Sequence, residues 1–376
     1  MLQILNNLSE FFKLFEKINK FTNNNFKIVI YSENKTYQKY SKILIDNLIE
    51  KFPNQILYAT SDKDDFINDT NIKNLYIGKS YSLQYFFTKI KSENLITTTI
   101  DLGNNLLKKT NNIKNYIYFF HSPVSTTKVY TSAAFDNYDT ILCIGDFQKN
   151  EIQKRENIKG INTKKLIECG YFYFDYLKNK HKDNNINDEI LIAPSWNYNE
   201  KNFINEDFDQ VIESLLRNKN LVKFRPHPEH FKRSKNFINY LEKKYLSENF
   251  ILDDEIENYN SMQKAKCLIT DNSGIAIEYT LIFKRPVFYY KSLDKIHNKE
   301  IENYKNLYNI EDHLKKLFGY TFNKDQIENL DTFINKNITD FNQNHFSKIS
   351  QFMNNNFYNF SKTKEFLNNN IKEILY

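Results

Sequence analysis

Glycine and proline are scarce in this chain of 376 residues, at 7 and 6 copies, and there are 3 cysteines and 1 tryptophan. With so few glycines there is no GxGxxG and no GxxxxGKS/T, so the common glycine-rich cradles for dinucleotides and nucleoside triphosphates are excluded. HExxH and GxSxG are missing as well, which removes the zinc-protease helix and the hydrolase nucleophile turn. Cys143, Cys169 and Cys267 stand far apart in apolar, strand-like contexts, with no CxxC and no zinc-ligand spacing. They read as buried free thiols of a reducing cytoplasm, and no metal is expected. No run approaches the roughly 18 apolar residues of a membrane-crossing helix. The start, MLQILNNLSEFFKLFEK, is too broken by polar groups for a signal peptide. The expectation is a soluble cytoplasmic protein, or one peripheral to the cytoplasmic face of the inner membrane.

The formal charge is +6, from 52 basic and 46 acidic residues spread along the chain. A nucleic-acid binder would gather its lysines and arginines into an arm or stripe, so nucleic acid is not expected as a partner. Anionic substrates or an anionic membrane surface fit better.

What the chain has is alternation. Residues 2–19 place Ile4, Leu5, Leu8, Phe11, Phe12, Phe15 and Ile18 on one helical face, for docking on the core or on a membrane surface. Strand signatures then recur at Phe26–Tyr31, Ile56–Thr60, Leu75–Ile77, Leu95–Ile100, Tyr116–Phe120, Thr140–Ile144 and Lys165–Cys169, with helical stretches such as Thr36–Lys51, Ser80–Ile90 and Lys128–Phe135 between them. A polar, unpatterned segment at 181–188 reads as a linker. The style resumes with strands at Glu189–Ala193, Leu221–Phe224, Phe250–Leu252 and Cys267–Thr270, and one opening at Pro286. Strands alternating with helices predict right-handed parallel units, hence two doubly wound α/β domains facing a cleft. The expected division is 1–180, the linker, 189–325, and C-terminal helices over 326–376 that pack back on the first domain.

In such an architecture ligands sit at the carboxyl ends of the strands. Three strand ends carry chemistry. Tyr116–Phe120 runs into His121, which at the cleft mouth suits a general base; the plain alternative is a strand cap. Leu221–Phe224 runs into Arg225-Pro226-His227-Pro228, where the prolines stiffen His227 as a hydrogen-bond donor and Arg225 adds an anion-binding fork. Otherwise His227 is a turn residue bonded to nearby carbonyls. Cys267–Thr270 runs into Asp271-Asn272-Ser273-Gly274 and a helix. There Asp271 or Ser273 caps the helix, Gly274 admits a close ligand, the helix start favours phosphate, and Glu278 one turn on can take sugar hydroxyls. Trp196, after another strand end, is a candidate for stacking on a base or for core packing. His181, His230, His297, His313 and His345 fall in polar contexts and read as surface residues. Together these residues suggest a nucleotide-diphosphate site.

Five pieces between residues 116 and 290 resemble the CDP-glycerol glycerophosphotransferases of teichoic-acid and capsule synthesis. They are the strand-end His121, FDNYDTILCIGDFQ (135–148), ECGYFYFDYL (168–177), KFRPHP (223–228) and TDNSGIAIEYTLIFKRPVFY (270–289). The resemblance implies a GT-B-type fold and transfer of glycerol phosphate from CDP-glycerol to a hydroxyl of a surface-glycan or glycolipid acceptor, releasing CMP without a cofactor. It also implies His121 as the base, His227 with Arg225 holding the diphosphate, Ser273 and its amides on phosphate, and Glu278 on the cytidine ribose. His121 is followed here by Ser122-Pro123 where the family often has glycine. Gly170-Tyr171-Phe172 likewise stands where it often has Gly-Tyr-Pro. A weaker likeness extends to UDP-sugar 2-epimerases. A GT-B glycosyltransferase using another nucleotide-diphosphate donor, or a non-catalytic scaffold of the same fold, stays open at this point.

Overall fold

The computed structural model describes residues 2–376 apart from 104–106, 182–186, 197–202, 205, 246, 248 and 293–294, with side chains from residue 12 onward, 206 excepted. The first sheet holds β1 (Phe26–Ser32), β2 (Ile56–Thr60), β3 (Ile72–Tyr76), β4 (Ser92–Thr97), β5 (Ile113–Phe119), β6 (Thr140–Cys143) and β7 (Lys165–Glu168). Their order is β3-β2-β1-β4-β5-β6-β7, all parallel. The second holds β8 (Glu189–Ile192), β9 (Leu221–Phe224), β10 (Phe250–Leu252), β11 (Ala265–Thr270), β12 (Val287–Tyr290) and β13 (Gly319–Phe322). It repeats the plan as β10-β9-β8-β11-β12-β13, again parallel. In each sheet the direction of growth reverses once, between β1 and β4 and between β8 and β11. Such reversals open a crevice at the carboxyl ends of the strands.

Parallel strands are covered on both faces, which is why these segments read as unbroken apolar runs. Alternate residues of β1 take opposite sides. Val29 and Tyr31 enter the core that lies between the two sheets, and Ile28 and Ile30 the outer core of the first. In β8, Leu191 joins the same central core, while Ile190 and Ile192 join the outer core of the second sheet. One apolar body therefore runs from sheet to sheet and fixes their relation.

Several elements differ from the sequence expectations. β3 and β4 start and end earlier than 75–77 and 95–100, which leaves Thr98 in the loop after β4. β13 was not foreseen: GYTF is four residues long and pairs along one edge only. The helix expected over 128–135 is the short Thr126–Val129. In the first helix, Leu2–Thr22, Ile18 of the expected apolar face is buried, whereas Phe12 is 67% exposed. Ile4, Leu5, Leu8 and Phe11 lie outside the described side chains, and most of the linker, 182–186, lies outside the described residues. No helix among the described residues is long and apolar enough to cross a membrane.

The C-terminal helices divide between the sheets. Leu330–Asn344 puts Leu330 and Ile334 into the outer core of the second sheet, not the first, because its apolar stripe matches β8 and β12 there. Thr363–Leu375 lays Leu367, Ile371 and Ile374 on the first. Between them the chain threads over the ends of β6 and β7, where Tyr358 N donates to Ile144 O at 2.8 Å and Asn359 Nδ2 to Glu168 O at 2.6 Å. The glycines there have no room for a side chain. A Cβ at Gly145 would lie 2.1 Å from Asn356 O, and one at Gly170, whose φ is +93°, 2.4 Å from Tyr358 O. Gly145→Ala should therefore lift the returning segment, cost about 1–3 kcal/mol as other overpacked sites do, and lower the thermal midpoint. An unchanged midpoint would mean that the tail does not hold this position.

Candidate active site

The crevice of the second sheet is fastened by one carboxylate. Asp271, after β11, accepts from Ser195 N at 2.7 Å and from Ser195 Oγ at 2.8 Å, tying it to the loop after β8. Asp271 is buried, and with both oxygens accepting from Ser195 it positions the loop. Neither Asp271 nor Ser273 caps the helix that follows. Its N-cap is Gly274, without a side-chain cap bond, and Ser273 contributes its carbonyl, to Ala276 N at 3.2 Å. The opening amides of Ile275–Glu278, continued by the π-turn Tyr279–Phe283, are thus not covered by a capping side chain. Such amides, with the positive helix end, suit an anion.

His227 is held by its backbone and its ring together. It is the N-cap of the helix Pro228–Arg233, and its Nδ1 accepts from Glu229 N at 3.2 Å. A neutral imidazole that accepts at Nδ1 carries its proton on Nε2, so the exposed side of His227 presents an N–H donor. Crowding by protein pushes its pKa down, and the Lys295 charge adds to this, while solvent at the exposed ring moderates the effect. Arg225 differs from the expected fork. Its Nη1 lies 2.9 Å from the buried Asp253 carboxylate, and Nη2 donates to Glu255 O at 2.7 Å. Arg225 braces the loop after β10 and lends the cleft a positive field. His230, expected at the surface, is fully buried, because its helix turns the ring under Trp196 to reach Ser195 O at 3.1 Å. Trp196 packs its ring against His230 and lies beside the Arg233 guanidinium.

From the first sheet, β5 delivers His121 to the same space. Thr98 Oγ1 lies 2.7 Å from its Nδ1, which orients the ring and leaves Nε2 for the cleft. Tyr37 packs edge-on against it at 5.0 Å. Burial lowers the His121 pKa to about 4, so the ring is neutral near physiological pH. Behind it, the buried Glu151 accepts from Thr126 N and Oγ1, both at 2.6 Å, and from Ser125 Oγ, which fixes the turn after His121. Glu311 of the second domain accepts from Ser125 N at 3.1 Å.

The two halves meet directly. A Cβ on Gly274 would lie 2.6 Å from Ser122 Oγ and 3.1 Å from Val124, so the helix start of one sheet abuts the His121 loop of the other. Tyr171 bridges them, its hydroxyl 2.7 Å from Glu278 Oε1 and 3.0 Å from His121 O. Glu278 is buried, which raises its pKa; burial lowers that of Lys39 beside it, the two charges opposing these shifts. The His121 loop, the Ser273–Gly274 turn and Glu278 are thus brought together, and His227 stands on the loop after β9. Asp271 and Arg225 hold neighbouring loops.

The family model for CDP-glycerol:poly(glycerophosphate) glycerophosphotransferases matches residues 14–360. The chain belongs to this family. It is a transferase. Among solved structures, the wall teichoic acid polymerase TagF superposes with a TM-score of 0.64 at 16% identity, covering 93% of this chain and 89% of that one. The S. aureus MnaA–UDP co-structure gives 0.59 at 12% identity over 93% and 97% of the chains. The Methanocaldococcus jannaschii UDP-GlcNAc 2-epimerase in complex with UDP-GlcNAc and UDP gives 0.53 at 13% identity over 83% and 92%. At these identities the likeness shows the shared GT-B fold. No curated protein matches the chain by sequence.

Thr98, Tyr171 and Lys39 were not singled out by the sequence reading. Tyr171 alone had a signal, its place directly after Gly170 at a strand end. The lowered pKa of His121 has a direct consequence. A depressed imidazole stays neutral until pH falls toward about 4, well below its ordinary 6.5. In an NMR titration of histidine-labelled protein, the His121 resonance, assigned by its loss in His121→Asn, should hold its neutral position from pH 8 to about 5.5. A midpoint at 6 or above would contradict the buried, Thr98-oriented ring.

Proposed function

We propose that this chain transfers glycerol phosphate from CDP-glycerol to a hydroxyl of a surface-glycan acceptor and releases CMP, with His121 as base and His227 as donor-binding residue. The observation that carries the reading is the abutment of the His121 loop on the helix start at Gly274. This meeting of the loop that carries His121 with a helix start whose amides suit a phosphate supports the reading.

The reaction needs little covalent work from the protein. The acceptor oxygen attacks the phosphorus next to glycerol, the bond from that phosphorus to the bridging oxygen breaks, and CMP leaves with the electron pair. Phosphoryl transfers of this kind depend on positioning and charge stabilisation. With Nδ1–H donating to Thr98, His121 Nε2 holds the lone pair that takes the acceptor's proton and later returns it to solvent. His227 Nε2–H donates to the diphosphate and so stabilises the departing CMP. The uncovered amides of Ser273–Ile275 hold the phosphate, and Arg225 contributes field from behind its Asp253 partner. Glu278 receives the ribose hydroxyls in place of the Tyr171 hydroxyl, and Trp196 stands by the strand end where the base would rest.

His121→Ala should lower turnover by about 100- to 10,000-fold, the range for a positioned base, while CDP binding by calorimetry is retained. Because Asn offers an acceptor near the place of Nδ1, His227→Asn keeps the helix cap and removes only the Nε2–H. That variant should fold normally and weaken CDP at least tenfold. Wild-type turnover in the first, or wild-type CDP affinity in the second, would remove that histidine from its role.

A further inference from the structure

Beyond β12 the chain returns to the cleft as a strap across the two domains. His297 N donates to Lys128 O at 2.8 Å, and His297 Nδ1 lies 3.0 Å from Val129 O, both on the helix Thr126–Val129 of the first domain. Asn298 Oδ1 accepts from Ser132 Oγ at 2.7 Å. Glu300 pairs with Arg155 at 2.7 Å and Lys159 at 3.0 Å. Lys295 begins this strap. It lines a small pocket of about 40 Å³ with Asn272, Ser273 and Glu311 at the start of the phosphate-facing helix.

The other lysines of that cavity are engaged. Lys128 is paired with Asp312 at 2.7 Å, and Lys315 lies over the Tyr289 ring. Lys295 is half-buried, and among the described residues it makes no hydrogen bond or ion pair. The nearest opposing charge it feels is Asp271, whose two oxygens already accept from Ser195. Its own charge reaches His227, His230 and His297. A half-enclosed ammonium whose neighbouring carboxylate is already engaged elsewhere is poorly compensated unless a ligand adds negative charge. This ammonium lines one pocket with Ser273, at the start of the helix, and its charge is felt by His227.

We propose that Lys295 is a further donor-binding residue, whose ammonium takes the diphosphate oxygens together with His227 and the Ser273–Ile275 amides. The strap that follows Lys295 is fastened to the first domain by His297, Asn298 and Glu300. The proposal rests on the donor site described above.

The test compares Lys295→Met, Lys295→Arg and His227→Asn in the full chain, by CDP calorimetry and by kinetics with CDP-glycerol. Lys295→Met should weaken CDP and raise the donor KM at least tenfold, with Lys295→Arg recovering most of the loss. The ligand-free thermal midpoint of Lys295→Met should be unchanged or higher, because an unpaired charge has been removed; a lowered midpoint would mark a structural role and overturn the assignment. Weakened CDP in His227→Asn but wild-type CDP in Lys295→Met would overturn the Lys295 role alone. A raised acceptor KM with unchanged CDP affinity in Lys295→Met would assign it to acceptor phosphate and overturn the proposal. Wild-type CDP affinity in both variants would overturn the donor site itself.

Discussion

The cleft depends on one phenol. Tyr171 stands between the carbonyl of His121 and the carboxyl of Glu278, at 3.0 and 2.7 Å, so a residue of the first domain holds the second domain's acid beside the base's own backbone. A phenol has one proton and here faces two acceptors. Both are satisfied when Glu278 is protonated: its O–H donates to Tyr171, which donates to His121 O. Burial favours that neutral form by raising the Glu278 pKa. The Lys39 charge opposes that shift. In either form the Tyr171–Glu278 contact is a buried hydrogen bond that joins the two domains.

Around that link the chemistry is arranged by what each group is denied. His121 is half-buried, which lowers its pKa and keeps the ring neutral, as suits a base. His227 is denied its Nδ1 by the helix it caps and is left as a donor at Nε2. The helix after Gly274 is denied a side-chain cap and keeps its amides for an anion. Asp271 is engaged by the Ser195 donors and Arg225 by Asp253, and both serve to hold the loops in place. Positioning of this kind is what phosphoryl transfer requires.

Much of this was legible in the sequence. The apolar runs of β1, β2, β5 and β11 gave the parallel sheets, and the rule that ligands sit at strand ends picked out His121, His227, Ser273 and Glu278. What the sequence did not show are pairings over long separations. Asp271 finds Ser195 76 residues away, and Tyr171 finds Glu278 107 residues away. No local pattern encodes either. His230 shows the limit from the other side: EHFKRSK reads as a solvated stretch, yet the tertiary fold turns one ring of it under Trp196. β13 was missed because four residues at a sheet edge carry too little periodicity to register.

The central claim is that the phosphoryl group next to glycerol passes to an acceptor hydroxyl. It is tested most directly with CDP-glycerol carrying radiophosphorus at that phosphate, incubated with the purified protein and a glycerophosphate-primed glycolipid. The account predicts that the label moves to the glycolipid in step with unlabelled CMP release. Label left on released CDP, with glycerol alone transferred, would contradict it.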